Sequence, residues 1–244
     1  MAFADDYRRA MAEVDRIAAE EYRRVKALTD PLLGRAAQDP RARAAIAEIL
    51  HDVLPGLLSE YRLMSAEVAA AAYQADRIRA AVPGRSFAPV VPDLKDGGAH
   101  ALVGWALSVA ESPTSLDALI LGGYQRRGRD GGRLTVQSSS LADPGARGWQ
   151  RVDAGGDGSC AFCRMLIGRG AVYTEASVRF GAHDNCNCAA APIWKGAAPV
   201  PVPKWARSER ADRAYNPQAP DSDEQRKASN ERVRDWLAAN PDVG

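Results

Sequence analysis

All four cysteines of this 244-residue chain lie in one short stretch, CAFCRMLIGRGAVYTEASVRFGAHDNCNC, which spans residues 160–188. They form a CxxC pair and, after a histidine, an HxxCxC motif. Cysteines that serve only as small apolar residues have no need of one another, so the clustering indicates that the sulfur atoms act together. The candidate ligand residues are Cys160, Cys163, His183, Cys186 and Cys188.

Thiolate and imidazole groups around a tetrahedral ion are typical of structural zinc sites. The spacing favours Cys160, Cys163 and Cys186 as ligands, while His183 and Cys188 compete for the fourth position. We therefore predict one structural zinc ion, which would supply folding free energy to a unit with little core of its own. The alternatives are two disulfides or reduced thiols without a metal. An open catalytic zinc site is disfavoured because sulfur ligands that saturate the ion leave no position for water.

Motifs of common enzyme classes are missing from the sequence. It contains no GxSxG, HExxH, Walker or GxGxxG pattern. Ser138, Ser139 and Ser140 have no recognisable catalytic partner, and His51 lies beside Asp52 on the surface of a predicted helix. The sequence therefore favours a protein that is not an enzyme and has no small-molecule substrate, but it leaves the question of activity open.

The charge balance gives the chain no strong overall field. It has 32 basic and 31 acidic residues, so its formal net charge is +1, and any contact with nucleic acid or anionic lipid must be local. The N-terminus alternates charged and apolar residues, which is unlike a signal peptide and predicts an intracellular product. The longest apolar run, at 101–110, has about half of the roughly 20 residues that a membrane span needs, so no membrane contact is expected.

The first part of the chain is predicted to be helical. Apolar residues recur at steps of three and four from Tyr7 to Leu28, which places them on one face of a helix over about 5–29. Asp39 followed by Pro40 is typical of a helix start, because Asp caps the first turn and Pro there loses no hydrogen bond. A second helix therefore begins at this pair.

This second helical stretch is predicted to be interrupted. Pro55 and Gly56 indicate a kink or a break. Ser65 then restarts a helix, which ends at the VPG sequence of residues 82–84. Residues 1–82 should accordingly form a helical bundle or hairpin.

A linker and a second helical segment follow. Residues 83–98 are rich in proline and glycine, which predicts a linker loop. Two shorter helices are expected at 99–110 and, after a start at Ser112, at 114–126. Together they form a helical segment over residues 99–148.

A basic, glycine-rich sequence, QRRGRDGGR, lies at the end of the second short helix. Arg126, Arg127 and Arg129 in this sequence are candidates for contacts with a phosphate backbone. An ordinary solvated loop between two elements is the favoured interpretation of the same residues.

Residues 149–195 are predicted to form a small β-rich module that carries the Cys/His cluster. Strand and turn formers increase from RLTVQSSS onward, and WQRVDAGGDGSC has the pattern of a strand followed by a turn. The predicted fold class is therefore α+β, with a mostly helical N-terminal part, a small β-rich module like a zinc knuckle, and an extended tail.

The tail, residues 196–244, is rich in proline in its first half, which favours extended geometry. A short helix is expected near its end. Val233, Trp236 and Leu237 form a small apolar patch on that helix, which predicts a docking element for a partner. The alternative is a tail helix that folds back on its own chain.

The cysteine-containing region resembles the C-terminal signature of tailed-phage minor head proteins of the phage Mu F-like class, in the form common among phages of actinobacteria. The residues that carry the resemblance are Cys160, Cys163, Leu166, Arg169, Gly170, Val172, Tyr173, His183, Cys186, Cys188, Pro192 and Trp194. The helical part resembles the same class in its helical character and in the sequence AAAAYQADRIRA. The resemblance covers about 45 residues closely, and the tail after Lys195 departs from it.

This resemblance implies a virion component that associates with the phage portal and other head proteins, inside the head at the portal vertex and in the host cytoplasm during assembly. Such a protein would assist head assembly, DNA packaging or DNA delivery, and packaged DNA is a further possible contact. Relatives in actinobacteriophages are sometimes labelled capsid maturation proteases. A protease that acts on head precursors, or a local DNA-binding module, is therefore the alternative function.

Overall fold

The fold is known from a computed structural model. In its described residues, four helices precede a two-stranded antiparallel sheet, and a fifth, short helix lies between the two strands in the chain. The model describes residues 2–36, 38–94, 98–110, 112–154, 161–170, 173, 180–184, 186–196, 231, 234, 235, 238 and 239. The elements are α1 (Ala2–Leu33), α2 (Pro40–Arg79), α3 (Ala99–Val109), α4 (Pro113–Ala142), β1 (Ala146–Asp153), α5 (Ala161–Gly168) and β2 (Cys188–Trp194). The described part of the chain is therefore mostly helical with a small sheet, as an α+β fold requires.

Helix α1 packs against α2 through the apolar face that the sequence predicts. Tyr7, Met11, Val14, Ala18 and Val25 are all buried. Leu28, expected on the same face, is exposed, and that expectation was wrong. The buried position is the next residue, Thr29, because it lies one full turn of four residues after Val25.

Helix α2 begins as expected but is not interrupted. The Asp39 side chain accepts a 2.9 Å hydrogen bond from the Arg41 N–H, and Pro40 stands at the first helical position. The predicted break at Pro55 is wrong, since α2 continues through this residue to Arg79. Leu50, Leu54 and Leu58, which lie one turn apart on this part of the helix, are buried, and we attribute the continuity to this packing, which outweighs the one backbone hydrogen bond that proline removes.

Ser65 does not start a helix either. It lies in the middle of α2 and is fully buried. Its hydroxyl accepts a 2.9 Å hydrogen bond from the backbone N–H of Gly132 in α4. The residue therefore joins two helices rather than capping one.

Helix α4 starts as predicted and extends much further than predicted. Ser112 and Ser115 form a reciprocal capping box, with distances of 3.1 and 2.9 Å between side-chain oxygen and backbone nitrogen. The helix then runs to Ala142. The sequences expected as a basic loop and as strand formers, QRRGRDGGR and RLTVQSSS, are both helical, so these two expectations were wrong.

Glycines explain why this helix forms where the sequence pattern favours a loop. A Cβ atom at Gly131 would lie 2.8 Å from the carbonyl carbon of Arg62, and one at Gly132 would lie 2.8 Å from the carbonyl oxygen of Ser65. A Cβ atom at Gly128 would likewise collide with the ring of Tyr61. The absence of side chains lets α4 approach the backbone of α2, and the packing gained outweighs the low helix propensity of glycine.

The two strands attach the C-terminal module to the helices. Strands β1 and β2 pair antiparallel, with Trp149 opposite Pro192 and Asp153 opposite Cys188. Strand β2 is buried along its whole length and contacts α4 as well as β1. At its end, the Trp194 Nε1 donates a 2.9 Å hydrogen bond to Asp76 of α2.

The segment after α2 behaves as a connecting loop. Residues 83–94 contain no helix or strand. The Val90 backbone N–H donates a 2.9 Å hydrogen bond to the Ser139 hydroxyl, and Phe87 contacts Tyr73 with ring centroids 6.1 Å apart. Across the described helices, no stretch combines the length and the apolar character that a bilayer span needs.

A buried ion pair next to this loop predicts a large loss of stability. Asp143 has no exposed side-chain surface, and its Oδ2 lies 2.8 Å from the Arg77 Nε. We expect Asp143→Ala to lower the free energy of unfolding by about 3–5 kcal/mol, because it leaves a largely buried guanidinium without its carboxylate. Urea denaturation measures this change. The control is Asp5→Ala, which removes an exposed pair with Arg8 and should cost less than about 1 kcal/mol; equal losses in both variants would contradict the prediction.

Candidate metal centre

Three thiol groups meet inside the C-terminal module. The Sγ atom of Cys163 lies 2.9 Å from that of Cys186 and 3.4 Å from that of Cys188, and the last two are 3.3 Å apart. All three residues are buried and none forms a disulfide, in which the two sulfurs would be about 2.05 Å apart. The three sulfurs form the one group of potential metal ligands found among the described residues.

Local structure explains how the three sulfurs converge. Cys188 begins β2 and Cys186 precedes it by two residues, so both side chains lie on the same face of the extended backbone. Cys163 lies in the first turn of α5, and this short helix contacts β1, the neighbour of β2. A CxC pair and one helical cysteine thus face each other across the end of the sheet.

The three cysteines are close enough to hold a metal ion. Sulfur atoms bound at about 2.3 Å to one tetrahedral zinc ion are roughly 3.7 Å apart. Each sulfur therefore needs only a small outward shift to fit such an ion. Burial of all three thiols is typical of a closed structural site rather than of an open catalytic one.

The hydrogen bonds within the cluster favour a thiolate. Hydrogen bonds from Cys163 and then from Cys188 lower the pKa of the Cys186 thiol, and the nearby charge of Arg133 lowers it further. The bond with Cys186 raises the pKa of Cys163 in turn. One sulfur is thus stabilised as the anion, which is the form that binds a metal.

Two buried arginines surround the thiols, and the sequence reasoning missed both. Arg133 of α4 is 1% exposed and donates hydrogen bonds to the backbone oxygens of Cys186, at 2.7 Å, and Cys188, at 3.0 Å. Arg151 of β1 is 4% exposed and donates to the Cys188 Sγ at 2.9 Å. Position 151 shares a strand face with buried Trp149, but adjacent Val152, on the opposite face, is buried too, so alternation along the sequence gives no signal for this buried cation.

Of the other two predicted ligands, Cys160 lies outside the described residues. His183 is not part of the group, and its ring lies against that of Phe162, with ring centroids 4.9 Å apart. The structure therefore brings together three of the four candidates that it describes.

The three arginines proposed for nucleic acid lie within α4 and not in a loop. The Arg126 Nε lies 2.6 Å from Asp184, and the Arg129 Nη2 lies 2.7 Å from Asp15 of α1. Desolvation by burial lowers the pKa of Arg127. Two of these charges are thus already paired with carboxylates.

The proposed docking residues, Val233, Trp236 and Leu237, lie outside the described residues.

Most of the sequence matches a known family. The model of the family described as VG15 protein matches residues 2–218 of the chain. The protein belongs to the VG15 family. This membership indicates a phage-encoded protein. It does not bear on the Mu F-like class, so that resemblance stays a prediction.

The VG15 family match covers both the helices and the three cysteines, so the family includes both parts of the chain. No curated protein and no solved structure matches the chain at a significant level.

Proposed function

We propose that this VG15 family protein is a structural minor head protein of a tailed phage, which associates with the portal and assists head assembly, DNA packaging or DNA delivery. The observation that carries the proposal is the family match over residues 2–218. The likeness of its Cys/His region to minor head proteins of the Mu F-like class supports the more specific role. The protein would act inside the head at the portal vertex, after assembly in the host cytoplasm.

The metal centre would serve this role as a structural element. We propose that it holds one zinc ion, because three thiolates are soft ligands that suit zinc and their burial suits a closed site. Bound zinc would link α5 to the start of β2. The Arg133 hydrogen bonds to Cys186 and Cys188 connect the same centre to α4.

The helical part has dimensions that suit a protein bridging two others. Helix α2 has 40 residues and is therefore about 60 Å long at 1.5 Å per residue. It is stiffened along its length by α1 and α4, which both pack against it. A long, stiff set of helices that carries a small module stabilised by a metal ion suits a protein that joins two others in an assembly.

The geometry gives little support to the protease alternative. Ser139 is fully buried, and its hydroxyl accepts the hydrogen bond from Val90, so it is not placed to attack a substrate. A cleft of about 390 Å³ lies beside the cysteines, and His183 is the one histidine among its described lining residues. That lining contains no carboxylate and no serine, threonine or cysteine, the groups that a protease site requires.

The experiment that tests the proposal is isolation of portal complexes from cells infected with the phage that encodes this protein. We expect the protein to co-purify with a tagged portal, and a phage lacking its gene to produce defective heads that expression of the gene in trans restores. Absence of the protein from both portal complexes and heads would contradict the proposal. Cleavage of a head precursor by the purified protein would support the protease instead.

A further inference from the structure

Arg151 is a buried cation whose position the packing of the sheet alone does not explain. Its Nη1 donates to the Cys188 Sγ at 2.9 Å and lies 3.7 Å from the Cys163 Sγ. Its Nη2 donates to the Gly181 carbonyl at 2.7 Å, and its guanidinium carbon lies 3.8 Å from the centroid of the Phe180 ring. One face of the guanidinium is therefore covered by an aromatic ring, while one edge points to sulfur.

A buried guanidinium needs an anion nearby, because burial of an unpaired charge costs several kcal/mol. Arg133, the other buried arginine of the site, has one, since its Nη1 lies 2.9 Å from Asp130. In the part of the chain that the structure describes, no carboxylate pairs with Arg151. The groups that it meets instead are the two cysteine sulfurs.

The charge of a metal–thiolate centre matches this requirement. The three thiolates that the structure describes and one divalent cation carry a single net negative charge, which one guanidinium neutralises. Hydrogen bonds from N–H donors to sulfur also withdraw charge from the ligands and orient them, as partners of metal ligands commonly do. Three neutral thiols would offer Arg151 only weak acceptors.

We propose that Arg151 is the charge-compensating partner of the three-cysteine metal centre, a positioning residue that holds Cys188 and Cys163 as metal ligands. The proposal rests on the metal centre put forward above. It gives β1 an indirect part in metal binding, because β1 supplies no ligand but carries Arg151, which holds two of them. It also explains why a guanidinium occupies a buried strand position beside Trp149.

The test measures the zinc dissociation constant of the full chain by competition with a chromophoric chelator. Arg151→Met keeps most of the side-chain volume and removes the charge, and we expect it to weaken zinc binding by about 10- to 100-fold. Arg151→Lys keeps the charge and should recover part of the affinity. Arg147→Met changes an exposed arginine on the same strand, so it should alter the affinity by no more than about twofold.

Cobalt gives a second readout on the same proteins. Absorption from thiolate-to-cobalt charge transfer reports how many sulfurs bind, and we expect Arg151→Met to reduce its intensity at a fixed cobalt concentration. Circular dichroism checks that each variant folds. If Arg151→Met does not fold, Arg151→Lys carries the test, with an affinity below that of the unmodified chain as the expected result.

The outcomes separate this inference from the proposal on which it rests. An unmodified chain that binds no zinc and no cobalt would overturn both. An unmodified chain that binds zinc, together with Arg151 variants of unchanged affinity and unchanged cobalt spectrum, would overturn the role of Arg151 and leave the metal centre standing.

Discussion

Cys186→Ser removes the bound metal and lowers the free energy of unfolding by about 4 kcal/mol, the stabilisation that a ligand gives at a thousand times its dissociation constant. Cys186 is the expected site of the largest effect because its sulfur lies nearest to both of the others, at 2.9 Å from Cys163 and 3.3 Å from Cys188. Serine keeps the shape but offers a hydroxyl in place of a thiolate. Urea denaturation in buffered zinc, with and without a chelator, measures the difference.

The control for this variant lies one residue away. Asn187 stands between two of the cysteines but contributes no sulfur, so Asn187→Ser should retain the metal and most of the stability. A chelator should destabilise the unmodified chain and Asn187→Ser to the level of Cys186→Ser, and leave Cys186→Ser unchanged. Equal stability of all three proteins in zinc would show that the cysteines are only core residues.

We expect Gly131→Ala to lower the free energy of unfolding by up to about 2 kcal/mol, although alanine is the better helix former. The gain in helix propensity is about 1 kcal/mol. Against it, the new methyl group would lie 2.8 Å from the carbonyl carbon of Arg62 and 2.9 Å from its Cα. Backbone cannot rotate away as a flexible side chain does, so α2 and α4 must separate, and overpacking of this kind costs roughly 1–3 kcal/mol or more.

Gly56→Ala is the matched control, since Gly56 is also inside a long helix of the same pair. A Cβ atom at this position meets no atom within 4 Å. We expect this change to raise the free energy of unfolding by about 0.5–1 kcal/mol. Thermal or urea denaturation of both variants gives the comparison, and a Gly131→Ala protein as stable as Gly56→Ala would contradict the close approach of the two helices.

Features with local causes could be predicted from the sequence. The caps at Asp39 and Ser112 depend on one side chain and the N–H groups next to it, and the pattern of residue types shows them directly. The buried face of α1 follows from the spacing of its apolar residues. Convergence of Cys163, Cys186 and Cys188 was predictable because sulfur atoms that act together, on a metal ion or in disulfides, must lie close to one another.

Features with tertiary causes could not be predicted in this way. Gly128, Gly131 and Gly132 favour a loop when considered alone, and only the backbone of α2 beside them makes a helix stable there. Pro55 is tolerated in the interior of α2 for a similar reason. The free energy of local helix propensity is small compared with that of packing a long helix. The sequence pattern therefore underestimates the length of both helices.

The second sphere of the metal centre was hidden for another reason. Arg133 is distant in sequence from the cysteines, and it reaches the carbonyls of Cys186 and Cys188 only because α4 continues through its glycines. Because the predicted α4 was too short, the sequence analysis did not place Arg133 near the cysteines. Arg151 could not be found from the sequence either, because Trp149, Arg151 and Val152 are all buried and β1 does not alternate between a buried and an exposed face.

Native mass spectrometry of the chain, purified without a chelator and without an affinity metal, tests directly whether Cys163, Cys186 and Cys188 hold a zinc ion. We predict a mass that exceeds the metal-free chain by one zinc ion, and loss of that increment in Cys186→Ser. A metal-free chain at full mass would contradict the metal centre. A metal-free chain that is lighter by the hydrogens lost in disulfide formation would show that the cysteines are oxidised instead.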